Sequence, residues 1–260
     1  MTPLPFANDR IAVVSITRHG IALAGRITRA LPGAHLFAPA KFRDIAEAAA
    51  PGMAACYEGK TAEQIPGLFK AFDAIVAVVS LGAMVRLIAP HLGDKESDPG
   101  VVALDEAGRF AIPMLSGHLG GANALAGAVA EAIGAQAVLT TASDARQTLA
   151  VDLLGRELGW TFEASKAVIV KTSAAVVNDE PVAVVQEAGS ADWWRGHANG
   201  RSGALPGNIQ VFDRIDAIDP RRHGAVLWIT HRHTGELPAS LYAAIADRLV
   251  VYRPAPGAPE

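Results

Sequence analysis

The chain has 260 residues, 50% of them hydrophobic, and its 23 basic and 26 acidic side chains leave a net charge of −3. That length and apolar content suit one large or two modest α/β domains, and the near-neutral balance excludes a chain-wide field that would draw the protein to nucleic acid or to an anionic membrane. A single cysteine, Cys56, excludes an internal disulfide framework and suits a cytoplasmic location.

The opening "MTPLPFANDR" lacks the basic start and apolar core of a signal peptide, and no apolar run reaches the roughly 18 residues of a membrane span. "RIAVVSIT" then reads as a β-branched strand. After Arg18, His19 and Gly20 it gives way to "IALAGRITRAL", whose apolar residues recur at helical spacing. "HLFAP" predicts a second strand, "EQIPGLFKAF" an interrupted helix, and "DAIVAVVS" a buried strand leading through Leu81 and Gly82 into the helix "GAMVRLIAPHL". "GVVALDE" and "FAIPML" flank a turn at Ala107 and Gly108, which predicts a hairpin or strand pair. An alanine-rich helix and the strand "AQAVLTT" follow. The expected first domain, residues 1–145, is α/β, with a mainly parallel sheet flanked by helices.

From Ser143 the texture changes. "VDLLGRELGW" reads as a linking helix, "KAVIVKTSAAVVNDEPVAVVQEAG" as β-rich with a turn at Asn178 and Asp179, and "GAVLWITHR" as a strand. These predict a second, smaller α/β unit over residues 146–252. The glycine-rich stretch 188–209, with Trp193 and Trp194, predicts a long loop presenting aromatic faces to a ligand, and 253–260 reads as a linker-like tail.

Chemistry concentrates in "LSGHLGGAN", residues 115–123. Gly117, Gly120 and Gly121 remove β-carbons where the backbone turns or meets a ligand, and the helix after them has unpaired first amides carrying a partial positive charge. An anion cradle with Ser116, His118 and Asn123 as donors fits this pattern; so does a plain helix cap with a solvated histidine. No Lys-Ser or Lys-Thr pair closes a phosphate loop, G-x-G-x-x-G is absent, and G-x-S-x-G is not met, which disfavours a nucleotide site and a serine nucleophile.

Two further polar groups accompany the loop. Arg86 lies in an apolar helix, and Lys95, Glu96 and Asp98 occupy a turn before Pro99. Thr140, Thr141 and Asp144 end a strand and form either a cleft wall or a helix cap. The segments around Arg18, Leu81, Ser116 and Thr140 each follow a predicted strand, so the expectation is one cleft at one sheet edge. His231 and His233 share a strand face, but no third ligand lies at metal-site spacing, so no protein-bound metal is expected.

The stretch 73–144 resembles the cobalamin-biosynthesis family written CbiG, the cobalt-precorrin 5A hydrolases. The resemblance rests on Arg86 before Ala89-Pro90, Lys95 before Asp98-Pro99-x-Val101, the run Leu115 to Asn123, and Thr140-Thr141-Ala142-x-Asp144. Ser143 stands where threonine is commoner. "VVNDEPVAVVQEAGSADWW" and "LPGNIQ" are similar to the family's central region. The resemblance implies hydrolytic opening of the ring A lactone of a ring-contracted cobalt-corrinoid with loss of acetaldehyde. The cobalt belongs to the substrate and no cofactor is implied. On that chemistry His118 is the expected base or proton shuttle, with Ser116 beside it. Gly120 and Gly121 would hold the oxyanion, Lys95 and Arg86 would pair with carboxylates, and Asp98 would orient Lys95 or His118. Arg18, His19, Gly117, Asn123, Thr140, Thr141 and Asp144 complete the expected substrate wall. Family members continue into a C-terminal domain. Its expected place is a separate chain, and the alternative role is a non-catalytic corrinoid-binding module working with that domain or with a precorrin methyltransferase.

Overall fold

A computed structural model describes residues 4–94, 97–194 and 203–255. The chain divides into two units, Met1–Leu139 and Thr140–Glu260, each with its own sheet.

In the first unit β1 (Ile11–Ser15) leads into α1 (Arg18–Ala30), followed by β2 (His35–Pro39), α2 (Arg43–Ala49), β3 (Ala54–Tyr57), α3 (Thr61–Ala71), β4 (Ala74–Val78) and α4 (Leu81–Ile88). Then come β5 (Gly100–Leu104), β6 (Phe110–Leu115), α5 (Ala122–Ile133) and the short β7 (Gln136–Ala137). The sheet order is β3-β2-β1-β4-β5-β6-β7, parallel throughout except that β5 and β6 are antiparallel.

Strand alternation sends Ile11 and Val13 into one core with Ile21, Ile27 and Leu125, and Ala12 and Val14 into another with Ile65 and Met84. Helices α1, α2 and α5 therefore cover one face, and α3 and α4 the other. Both faces are dry, which is why β1 and β4 are unbroken apolar runs rather than alternating ones.

The β5–β6 reversal decides the layout. Gly108, at φ +66°, turns the chain, and the Asp105 carboxylate accepts from the amides of Arg109 and Phe110 at 2.8 Å each. Leu115 then pairs with Val101, at the start of β5. Whatever follows β6 consequently lies at the amino edge of the parallel strands, whereas the segments after β1 and β4 lie at the carboxyl edge.

The second unit begins with α6 (Ala142–Ala145) and contains β8 (Thr161–Glu163), α7 (Lys166–Val177), β9 (Val182–Gln186), β10 (Ile209–Phe212), β11 (Ala225–Ile229), α8 (Ala239–Ile245) and β12 (Leu249–Arg253). Its sheet runs β10-β9-β11-β12-β8, with only β8 antiparallel. Two expectations are corrected here. "VDLLGRELGW" forms two short 3-10 turns instead of a helix, because Gly155 and Gly159 adopt left-handed φ of +73° and +72°. "KAVIVKTSAAVV" is helix α7 rather than strand. Ser165 caps it by accepting from the Val168 amide, and the buried residues Thr172, Ala175 and Val176 recur at helical spacing against the sheet. Local β-propensity yields to tertiary burial.

No helix among the described residues is long and apolar enough to cross a membrane.

Candidate active site

The glycine-rich loop is a closed structure built on backbone contacts. The amides of Gly121, Ala122 and Asn123, at the mouth of α5, donate to the carbonyls of His118, Ser116 and Gly117 at 2.9, 3.2 and 2.9 Å. A β-carbon on Gly120 would lie 2.3 Å from Ser116 Cβ, and one on Gly100 would lie 2.4 Å from the Gly120 carbonyl oxygen. The glycines thus let the loop fold on itself and seat against the start of β5. This corrects the expected cradle at Gly121, since its amide and those of the next two residues already serve loop carbonyls.

Ser116 is the strained member. It is a non-glycine residue at φ +53°, and its buried Oγ has no hydrogen-bond partner among the described residues. An orphaned buried hydroxyl costs about 1–3 kcal/mol, and a left-handed serine adds to that cost. His118 is half-buried at the crest of the same loop, and Asn123 packs its side-chain amide against Gly117.

Beside the loop, at the amino edge, is a pocket of about 310 Å³. Gly120, Leu119 and Asp98 line it together with Arg10, Lys70 and Asp73. Arg10 and Asp73 directly precede β1 and β4, and their side chains form a two-bond ion pair at 2.9 and 3.2 Å. The Asp73 amide donates to the Arg10 carbonyl and the Gly100 amide to the Asp73 carbonyl, so three strand starts are tied together beneath the pocket. The Asp73 carboxylate raises the Arg10 pKa above its ordinary value. Asp98 accepts from the Gly93 amide through both oxygens, at 3.1 and 3.0 Å, and is a turn carboxylate. Lys95 and Glu96 lie outside the described residues. Sequence reasoning missed Arg10, Lys70 and Asp73. The signal for Arg10 and Asp73 was a charged residue immediately before a buried strand, which places it at the edge that the hairpin returns to.

The expected single cleft is corrected. Arg18 and His19 open α1 at the carboxyl edge, exposed, above the Thr17 cap whose hydroxyl accepts from Gly20 and donates to Glu106 at 2.7 Å. Arg86 also reaches back toward that edge, donating to the Gly82 carbonyl at 2.8 Å. These three cations and the Ser116–Asn123 loop therefore sit at opposite edges of one sheet, because β6 is antiparallel.

Thr140, Thr141 and Asp144 belong to the second unit, where the Thr141 hydroxyl donates to the Asp144 carboxylate at the start of α6. In the same unit Trp193 and Trp194 are only 6% and 7% exposed. Trp193 Nε1 donates to Gln186 at 2.7 Å and Trp194 Nε1 to the Gly203 carbonyl at 2.7 Å. They are core rather than an aromatic platform, which corrects that expectation; the rest of the stretch, 195–202, lies outside the described residues. The polar center of the unit is Glu187, whose carboxylate accepts from Trp228 Nε1, Thr230 Oγ1, the Ile215 amide and Arg232 at 2.8 to 3.3 Å. His231 and His233 are exposed. Among the described residues no group of three or more histidine, cysteine, aspartate or glutamate side chains is placed to hold a metal.

Fold and site define a two-unit α/β protein whose first sheet carries a histidine-bearing, glycine-rich loop at its amino edge. Residues 63–144 match the family model for the cobalamin synthesis G N-terminal region, and 149–254 match the cobalamin biosynthesis central region. The chain belongs to the CbiG family, whose N-terminal and central regions it carries. It is 38% identical over 94% of its length to the cobalt-precorrin-5A hydrolase of Priestia megaterium, and 30% identical over 93% to that of Salmonella typhimurium. It spans 62% and 64% of those two relatives. A crystal structure of a cobalamin biosynthesis protein G homolog from Sulfolobus solfataricus aligns with 95% of this chain and 61% of that one, at a TM-score of 0.48 and 20% identity.

Proposed function

We propose that the chain works in corrin-ring synthesis as a cobalt-precorrin-5A hydrolase. It would open the ring A lactone with water and release the extruded two-carbon fragment as acetaldehyde. The observation that carries this reading is the 38% identity, over 94% of the chain, to a hydrolase of that name. The loop supports it chemically. Ester opening needs a proton acceptor for the attacking water and a donor for the departing oxygen, and a half-buried histidine on a loop held by backbone contacts can supply both in turn. With the amides at the mouth of α5 already engaged, oxyanion stabilisation falls to side chains, among which the orphaned Ser116 hydroxyl is placed as a donor rather than as a nucleophile.

The substrate is a polycarboxylated tetrapyrrole that brings its own cobalt, the compartment is the cytoplasm, and the partner is a separate C-terminal domain or a precorrin methyltransferase. The test is incubation with cobalt-precorrin 5A, with and without a supplied C-terminal domain, followed by acetaldehyde detection. Acetaldehyde in stoichiometric amount supports the reading. Binding without release in both arms overturns it in favour of a corrinoid-binding module.

A further inference from the structure

The amino-edge pocket has a charge balance that selects its ligand. Arg10 and Asp73 spend their charges on each other, and both Asp98 oxygens are held by the Gly93 amide. Lys70, exposed near the end of α3, lines the same pocket and has no ion-pair partner among the described residues. Its neighbours are rigid. Phe72 packs edge-on against Phe37 with ring centers 5.4 Å apart, and Phe69 packs against His91 at 6.3 Å, so the lysine stem rises between two anchored rings. At about 310 Å³ the space is at the small end of ligand pockets. It fits an arm of a large ligand and not the face of a macrocycle. With one uncompensated cation, that arm is anionic.

We propose that this pocket is a subsite for one carboxylate arm of the tetrapyrrole, with Lys70 as the pairing cation and the adjoining Gly120 loop over the ring from which the arm extends. The tetrapyrrole in this statement rests on the function proposed above; Lys70 sets specificity for the charged arm and takes no part in bond breaking. The arrangement also makes the Arg10–Asp73 pair a floor that keeps Lys70 from being neutralised internally, since Asp73 is already satisfied.

The test uses equilibrium binding, so that it is independent of turnover. The full chain is titrated by calorimetry with cobyrinic acid, a corrin with free carboxylate arms, and with its fully methyl-esterified form. Lys70→Met is expected to weaken binding of the acid by about tenfold, the scale of one charge-assisted contact, and Lys70→Glu by more. Neither should change binding of the ester, and the salt dependence of acid binding should flatten in both. Lys41→Met, a change in the turn after β2, should bind like the parent. Equal affinity of parent and Lys70→Met for the acid, equal affinity of the parent for acid and ester, or no binding of the acid by the parent overturns the proposal. Absence of acetaldehyde in the turnover assay, with the Lys70 dependence intact, overturns the hydrolase reading alone.

Discussion

Replacing Gly120 by alanine puts a methyl group where the loop has none to spare. The added carbon would sit 2.3 Å from Ser116 Cβ and 2.8 Å from the Ser116 carbonyl oxygen, against an optimum of about 3.5–4.0 Å between carbons. Ser116 is already at φ +53° and has little freedom to retreat, and its carbonyl is held by the Ala122 amide at 3.2 Å. The loop must therefore open as a whole, at the usual overpacking cost of about 1–3 kcal/mol. Gly100→Ala presses on the same loop from below, through the Gly120 carbonyl at 2.4 Å. Two substitutions that displace one segment share the cost of displacing it, so the double variant should lose less than the sum of the two single losses. Gly127→Ala is the control. Nothing lies within 4 Å of its β-carbon in the middle of α5, and it should gain about 0.4–1 kcal/mol from reduced unfolded-state freedom. Urea unfolding measures all four variants, and the His118 ring resonances report the loop. A Gly120→Ala protein as stable as Gly127→Ala, with His118 signals unmoved, would refute the account of the loop as a backbone-packed unit.

Three other outcomes are expected. His118→Ala should lower acetaldehyde release by roughly 10² to 10⁴ while leaving corrinoid affinity close to the parent's, as measured by turnover and titration on the same preparation. Glu187→Ala leaves the buried donors of Trp228 and Thr230 without their acceptor, and should cost the second unit about 2–4 kcal/mol in denaturant melts; a loss below about 1 kcal/mol would mean the Glu187 hub is dispensable. Glu163→Gln cuts the paired bonds to Arg253 at 2.8 and 2.9 Å, and because the carboxylate is largely exposed the loss at pH 7 should be only about 0.5–1 kcal/mol. The side-chain hydrogen bond from Arg253 holds the Glu163 pKa below its ordinary 4.5, so this stability is present above pH 4.5 and is lost as pH falls through the lowered folded-state value. The melting difference between parent and Glu163→Gln should therefore close below that point, and a difference that widens with acid would reverse the sign argument.

Most of the first unit was legible in the chain because its strands and helices announce themselves locally. "RIAVVSIT" and "DAIVAVVS" can only be buried strands, the Asp105–Gly108 turn declares a hairpin, and three glycines before an alanine-rich run mark a tight loop feeding a helix. The family, too, was written in short motifs. What the chain could not state was direction. Every candidate segment followed a strand, and only the pairing of Leu115 with Val101 reveals that one of those strands runs backwards, sending His118 to the amino edge and leaving Arg18, His19 and Arg86 at the other. The same limit explains α7 and the tryptophans. "KAVIVKTSAAVV" has strand composition but buries a helical stripe against the second sheet, and Trp193 and Trp194 fill a core that exists only once β9, β11 and β12 are assembled. Local sequence sets what each segment prefers. Which edge it reaches and which face it buries follow from contacts between segments far apart in the chain, whose energy appears only on folding.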